Sequence, residues 1–137
     1  MNIQPYLFFN GRADDAIAFY RDALGAEVQM LLRHKESPEP PPPGLLAPGW
    51  GEKIMHATLK IGDGILHCSD GCGAESPSFA SFGLSAPAKD AAEAERIFAA
   101  VSDGGEVRMP LCETFFATRF GMVVDRFGVL WMVIVPK

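Results

Sequence analysis

The chain has 137 residues, 48% of them apolar and 21% charged, with a formal net charge of −5. That length suits one domain with its own core, and the composition excludes a disordered chain. The acidic balance argues against nucleic acid or an anionic membrane as partner, and no apolar run reaches the roughly 18 residues of a membrane span.

The first residues, "MNIQPYLFFNGR", lack the basic segment and apolar run of a secretory leader. Three cysteines, Cys68, Cys72 and Cys112, are an odd count and too few for a disulfide framework. Both points make the cytoplasm the expected compartment. Cys68 and Cys72 with His67 invite a zinc reading, but no second Cys or His pair follows at finger spacing.

In chain order, "IQPYLFF" reads as a short apolar strand over 3–9. A helix follows, with Asn10 or Asp14 able to cap it and Ala13, Ile17, Tyr20 and Leu24 as its apolar stripe. Gly25 stands where a helix C-cap glycine belongs. "AEVQMLLRH" is a strand. The prolines of "ESPEPPPPGLLAPGW", 36–50, remove backbone donors and forbid a central strand or helix there. That segment reads as a loop of polyproline II character. "KIMHATLKI" and "ILHCSD" read as strands joined by a hairpin at Gly62–Asp63–Gly64. "GCGAESPS" then bridges to a second half with the same order. "SFGLSA" is a strand, and Asp90 to Asp103 a helix with Ile97, Phe98 and Val101 inward. "GEVRMPLCETF" is a strand, and "ATRFGMVVD" pairs with the closing "DRFGVLWMVIV" around Arg126–Phe127.

The halves also align by sequence. "AFYRDALGAEV" matches "IFAAVSDGGEV" at an offset of 79, and Gly64-Ile65-Leu66 matches Gly128-Val129-Leu130 at an offset of 64. The drop of 15 equals the length of the proline-rich segment. The expected organisation is a single domain of two duplicated units, 1–71 with an insertion at 36–50, and 79–137.

Two strand–helix–three-strand units, with "AIAFYRDALGAEV" early and "D-x-F-G-x-L-W" late, resemble the vicinal oxygen chelate superfamily. Its members include glyoxalase I, bleomycin- and fosfomycin-resistance proteins and extradiol dioxygenases. "PYLFFNG", "HATLKIG" and "ETFFATRFGMVVDRFGVLWM" are similar to its PhnB-like branch, whose members are often labelled 3-demethylubiquinone 3-methyltransferase-like. The resemblance implies an α+β fold of two βαβββ units. Their curved mixed sheets would form an incomplete barrel around a cavity, with helices outside. It also implies a homodimer.

The superfamily holds a divalent metal with His or Gln on a unit's first strand and Glu on its last. Counted from the helix Phe, the first-strand positions are Pro5 and Leu84; counted from the turn Gly, the last-strand positions are Cys68 and Met132. None is His, Gln or Glu, so no metal is expected at these positions.

Strand alternation places Leu66, Cys68 and Asp70 on one face, with His67 opposite, and Leu130, Met132 and Ile134 on one face, with Trp131 opposite. The resemblance makes the first set of each the cavity wall and Trp131 a core anchor. His56 is the titratable group of most interest. A two-residue hairpin turn sets it opposite Ser69, away from the cavity. A three-residue turn pairs it with Asp70 inside, as a base and its orienter. Glu113 and Thr114, with Arg119 across the turn, are candidates for a polar ligand group, and Phe115, Phe116 and Phe120 for a pocket mouth or dimer contact. His34 reads as a solvated residue at a strand end.

No Ser–His–Asp set, P-loop or dinucleotide glycine pattern is present, so no cofactor is expected. The leading expectation is a metal-free small-molecule binding homodimer. Its ligand set would be His56, Cys68, Asp70, Glu113, Phe116 and Met132, with His56 and Asp70 the candidates for catalysis. The alternatives are a metal-dependent lyase/isomerase or dioxygenase-like enzyme with relocated ligands, such as His56 with Glu113, and a regulatory or interaction module using the acidic surface and the proline loop.

Overall fold

A computed structural model describes residues 1–73 and 76–137. The chain divides into two compact units, Met1–Pro77 and Ser78–Lys137. In the first, β1 (Tyr6–Phe8) leads into α1 (Ala13–Leu24), β2 (Glu27–Arg33), β3 (Ile54–Ile61) and β4 (Gly64–Ser69). The second repeats this with β5 (Gly83–Pro87), α2 (Ala91–Ser102), β6 (Glu106–Cys112), β7 (Ala117–Val124) and β8 (Leu130–Pro136). Each unit forms one four-stranded mixed sheet, in the orders β1-β4-β3-β2 and β5-β8-β7-β6. The first strand of each unit runs parallel to its neighbour and the other pairs are antiparallel. Neither sheet closes into a barrel.

Each helix forms for local reasons and is fixed by burial. In α1, Asp14 and Asp15 sit in the first turn and Arg21 in the last, which suits the helix dipole. Gly25, at φ 66°, takes the left-handed C-cap, its N–H donating to Arg21 O while Ala26 N–H reaches Tyr20 O. The N-terminus departs from expectation, because neither Asn10 nor Asp14 caps it. Arg12 is the N-cap residue and makes no side-chain cap bond; the carboxylate of distant Asp70 accepts from Gly11 N and Ala13 N instead. In α2 the cap is local, with Asp90 accepting from Glu93 N at 2.8 Å.

The core of each unit lies between helix and sheet. In unit one, Phe9 meets Tyr20 of α1 with ring centroids 6.3 Å apart. Leu7 pairs across the sheet with Cys68, which pairs with Ala57, and all three are buried. In unit two, Trp131, Val133 and Val135 are buried on β8 together with Ala94, Ile97 and Val101 of α2. Trp131 is the anchor expected of it, its Nε1 donating to buried Asp125 at 2.9 Å. Gly121 is needed for packing: a Cβ there would lie 2.7 Å from Phe98 and 3.1 Å from the Leu111 backbone.

The proline-rich segment contains neither strand nor helix, apart from short 3₁₀ turns at His34–Glu36 and Trp50–Glu52 flanking it. Its two ends converge on one carbonyl. Gly71 O accepts from Trp50 Nε1 and from His34 Nε2, each at 2.9 Å. His34 is therefore a structural clip and not a solvated residue.

Candidate functional site

The β3–β4 hairpin turns over two residues, Gly62–Asp63, and pairs Ile61 with Gly64. Of the two alternatives for His56, this register excludes a partnership with Asp70. His56 pairs with Leu32 on β2 and lies beside Thr58 and His67 on the sheet face opposite α1.

Asp70 has a different task. It is 1% exposed, and its carboxylate accepts from Gly11 N (2.7 Å), Ala13 N (2.8 Å) and Ile54 N (2.9 Å). Three backbone donors and near-complete burial make it a structural tie between α1 and the sheet. Cys68 and Leu66 likewise line the helix side of the sheet and not an open wall. Burial, with the charge of Asp70 adding to it, pushes the Cys68 thiol up to about 12, which makes it a neutral, inert group.

The face assignment of unit one was thus inverted, for a definite reason. The β3–β4 turn has two residues, whereas Val124 pairs with Leu130 across 125–129 in the other hairpin. Counting from a glycine in each hairpin carries the register off by one, and one residue flips the face. Cys68 and Met132 are therefore not equivalent: Met132 sits opposite the buried Trp131–Val133 row, half-exposed, beside Leu130 and Ile134. Pro5 alternates with Leu7 toward α1, and Leu84 pairs with helix-side Trp131.

A divalent metal does not fit the four positions that the superfamily pattern designates. Pro5 and Leu84 offer no side-chain donor, Met132 offers a thioether, and the Cys68 thiol is protonated and faces α1. Among the described residues no group of three His, Cys, Asp or Glu could hold a metal ion, and neighbouring His67 and Cys68 lie on opposite faces of β4.

The remaining candidates belong to unit two. Glu113 faces Lys137 at 3.6 Å, and Thr114 Oγ1 accepts from Ala117 N at 3.0 Å, closing the β6–β7 turn. Arg119 pairs with Glu95 of α2 at 3.8 Å and donates to Thr118 O. Phe116 stacks edge-on against Phe115 and Phe120, centroids 5.1 Å apart in each case, and Phe115 is 91% exposed.

What the open face of the unit-one sheet does bring together is a chain of polar side chains. Tyr6 Oη lies 2.8 Å from His56 Nδ1, and His56 Nε2 lies 3.1 Å from Thr58 Oγ1. Thr58 Oγ1 lies 3.1 Å from His67 Nδ1, and His67 Nε2 lies 2.7 Å from Gln4 Oε1. The two imidazoles stack at 5.3 Å, with the Tyr6 ring 5.3 Å from His56 and 5.8 Å from His67. Phe8 extends the aromatic surface at 5.0 Å from Tyr6. Tyr6 and Phe8 are 41% and 53% exposed.

An amide oxygen only accepts, so His67 donates from Nε2 to Gln4. The tautomers of the two rings set the donor and acceptor at each of the other three contacts. Desolvation, with His67 nearby as a second cause, holds His56 below the ordinary imidazole range, and desolvation raises Tyr6 above the ordinary phenol range.

Of these residues sequence reasoning weighed only His56 and His67, and it placed His67 away from the site. A signal was present. Polar side chains recur at period two in Gln4-x-Tyr6 and His56-x-Thr58, on strands whose intervening residues are apolar.

The paired four-stranded units define the class: an α+β fold of the glyoxalase/bleomycin-resistance type. A glyoxylase/bleomycin resistance protein/dioxygenase domain from Frankia sp. EAN1pec aligns over 99% of the chain and 95% of its own, at TM-score 0.64 and 12% identity, a likeness of fold alone. More closely, the model of the 3-demethylubiquinone-9 3-methyltransferase family matches residues 1–134, and the chain belongs to that family, the PhnB-like branch. It is 35% identical to protein YjdN of Escherichia coli K12 over 144 residues, covering all of this chain and 97% of the relative. Protein PA1353 of Pseudomonas aeruginosa is 41% identical, with TM-score 0.86 over 99% of this chain and 98% of that one. A PhnB protein from Bacillus cereus, described as a putative 3-demethylubiquinone-9 3-methyltransferase, shares the fold at TM-score 0.78 and 24% identity, over 98% and 99% of the two chains.

Proposed function

We propose that the chain binds a small molecule on the open face of the unit-one sheet, without a divalent metal at the four superfamily positions. The observation that carries this reading is the connected polar chain from Tyr6 to Gln4, set among exposed aromatic rings on a face that no helix of its unit covers. Aromatic rings with a few convergent polar groups are what small-molecule sites are made of. Met132, Glu113 and Phe116 of unit two remain ligand-contact candidates of that unit by itself. Methyl transfer from a nucleotide-type donor is not part of the proposal, because the β1–α1 connection is not the glycine-rich strand-to-helix turn that holds such a donor: Gly11 is its single glycine.

A homodimer also belongs to this reading. No helix of the described residues is long and apolar enough to cross a membrane, and the free thiols of Cys68, Cys72 and Cys112 suit a reducing cytoplasm.

Titration of labelled protein with a panel of small aromatic and carbonyl compounds tests the site. The amide shifts of Tyr6, Phe8, His56, Thr58 and His67 should move together and saturate. Saturable shifts confined to other residues would contradict the assignment.

A further inference from the structure

We propose that the proline tract 38–43 is a docking ligand for a second protein, one whose groove is lined by aromatic rings and rimmed by basic side chains. The tract lies in the insertion that the duplicated pattern leaves over, and its role is independent of the small-molecule face. Residues 38 and 40–43 are proline; all of 38–43 are exposed, and so are Gly44 and Leu45. No peptide bond among the described residues is cis. Each proline ring fixes φ at about −65°, and residues 39–42 each precede a proline, which disfavours the α region for them. The tract is therefore a polyproline II helix, with about three residues per turn. At that pitch Pro38 and Pro41 share one edge, and Pro40 and Pro43 share the next.

Both ends of the tract are anchored. Ser37 N–H donates to His34 O at 3.2 Å, and Ser37 Oγ donates to Glu39 O at 2.8 Å. At the far end Leu45 N–H donates to Pro42 O at 3.1 Å across Gly44, which has φ 80°. Proline second and a left-handed glycine third make this a type II turn. It stops the helix and leaves Leu45 52% exposed beside it. Ala47 N–H then ties the chain to Cys72 O at 2.9 Å. A stiff tract strung between fixed ends loses little conformational entropy on docking.

The chemistry of the tract selects its partner. Residues 40–43 have no N–H to donate, so the edge of a sheet cannot take them as an added strand. Their carbonyls only accept. A groove that suits them offers flat apolar surfaces to the pyrrolidine rings and donors to the carbonyls, and Trp and Tyr side chains supply both. Leu45 adds an aliphatic anchor at one end. The charged residues from 36 to 50 are Glu36 and Glu39, with no Lys or Arg, so the complementary rim is basic. The same charges repel nucleic acid and an anionic membrane.

The test titrates an isotope-labelled WW domain, whose groove is lined by aromatic rings, with the unlabelled full chain. The groove signals of the domain should shift and saturate. Replacing Pro40→Ala and Pro43→Ala together should weaken binding about tenfold or more, while the thermal melt of the chain keeps its shape, because the tract is exposed. Lysines placed at the rim of the domain's groove should tighten binding several-fold at low salt, and Glu39→Lys should remove that gain. Absence of saturable shifts would overturn the proposal, and so would equal binding by the double alanine variant. A lysine rim that brings no gain would overturn the basic character assigned to the partner. Light scattering supplies the last arm: a changed oligomeric mass in the double alanine variant would show that a second copy of this chain covers the tract, and would exclude the second protein.

Discussion

Asp70 shows how much a single buried carboxylate organises here. Its two oxygens satisfy the otherwise orphaned amides at the start of α1 and the amide that opens β3. Asp70→Ala leaves three buried or half-buried donors without a partner and should cost roughly 2–4 kcal/mol. Urea denaturation, with midpoint lowered and slope unchanged, checks this. A cost below about 0.5 kcal/mol would mean that water replaces the carboxylate. His56 makes a second prediction, through its depressed pKa. The unfolded ring titrates near 6.5 and the folded ring below that. Between those values the unfolded chain binds more protons, so stability is present above about pH 6.5 and drains as pH falls through the folded value. Thermal melts from about pH 7.5 to about pH 5.5 should therefore lose more for wild type than for His56→Gln. At this scale alternation alone puts buried Trp131 and half-exposed Met132 on opposite faces, as the structure has them. The sequence was misread where a residue's face depends on register. Cys68 and Asp70 went to the wrong wall because a hairpin loop's length cannot be counted from its glycines.

The elements themselves were legible. Each helix and the C-cap at Gly25 follow from periodicity and turn chemistry, while the glycines of 62–64 mark a hairpin without fixing the length of its turn. The α1 N-cap was not, because its partner is 57 residues away at Asp70. The proline-rich insertion was correctly expected to form neither helix nor strand, yet its attachment was invisible: Trp50 and His34 both seek the Gly71 carbonyl, a backbone atom with no signature in the sequence. That shared acceptor is the loop's clasp. A Cβ at Gly73 would lie 2.6 Å from the Ala47 side chain, so loop and turn also pack closely. Trp50→Ala removes one donor and the indole packing. It should raise cleavage by thermolysin at Leu45–Leu46 several-fold, with the rest of the chain resistant. An unchanged nicking rate would show that the loop is held by its neighbours and not by Trp50.

For the whole molecule, the duplicated βαβββ pattern and the family likeness made the fold readable before any coordinates, since duplication writes the same element order twice. The site was less readable. The superfamily pattern points to four positions, and three of them, Pro5, Leu84 and Cys68, turn out to lie on the helix side of their sheets. The chemistry-bearing face of unit one is instead the row of Gln4, Tyr6, His56, Thr58 and His67, which the metal-based pattern does not single out. The account also expects a homodimer, so light scattering should return twice the 14.8 kDa chain mass; a monomer at micromolar concentration would remove that part. The most direct test of the central claim is elemental analysis of protein purified without added metal or chelator, repeated after incubation with Zn²⁺, Ni²⁺ or Mn²⁺ and desalting. The account predicts only substoichiometric metal in every sample. One tightly held divalent ion per chain would contradict it.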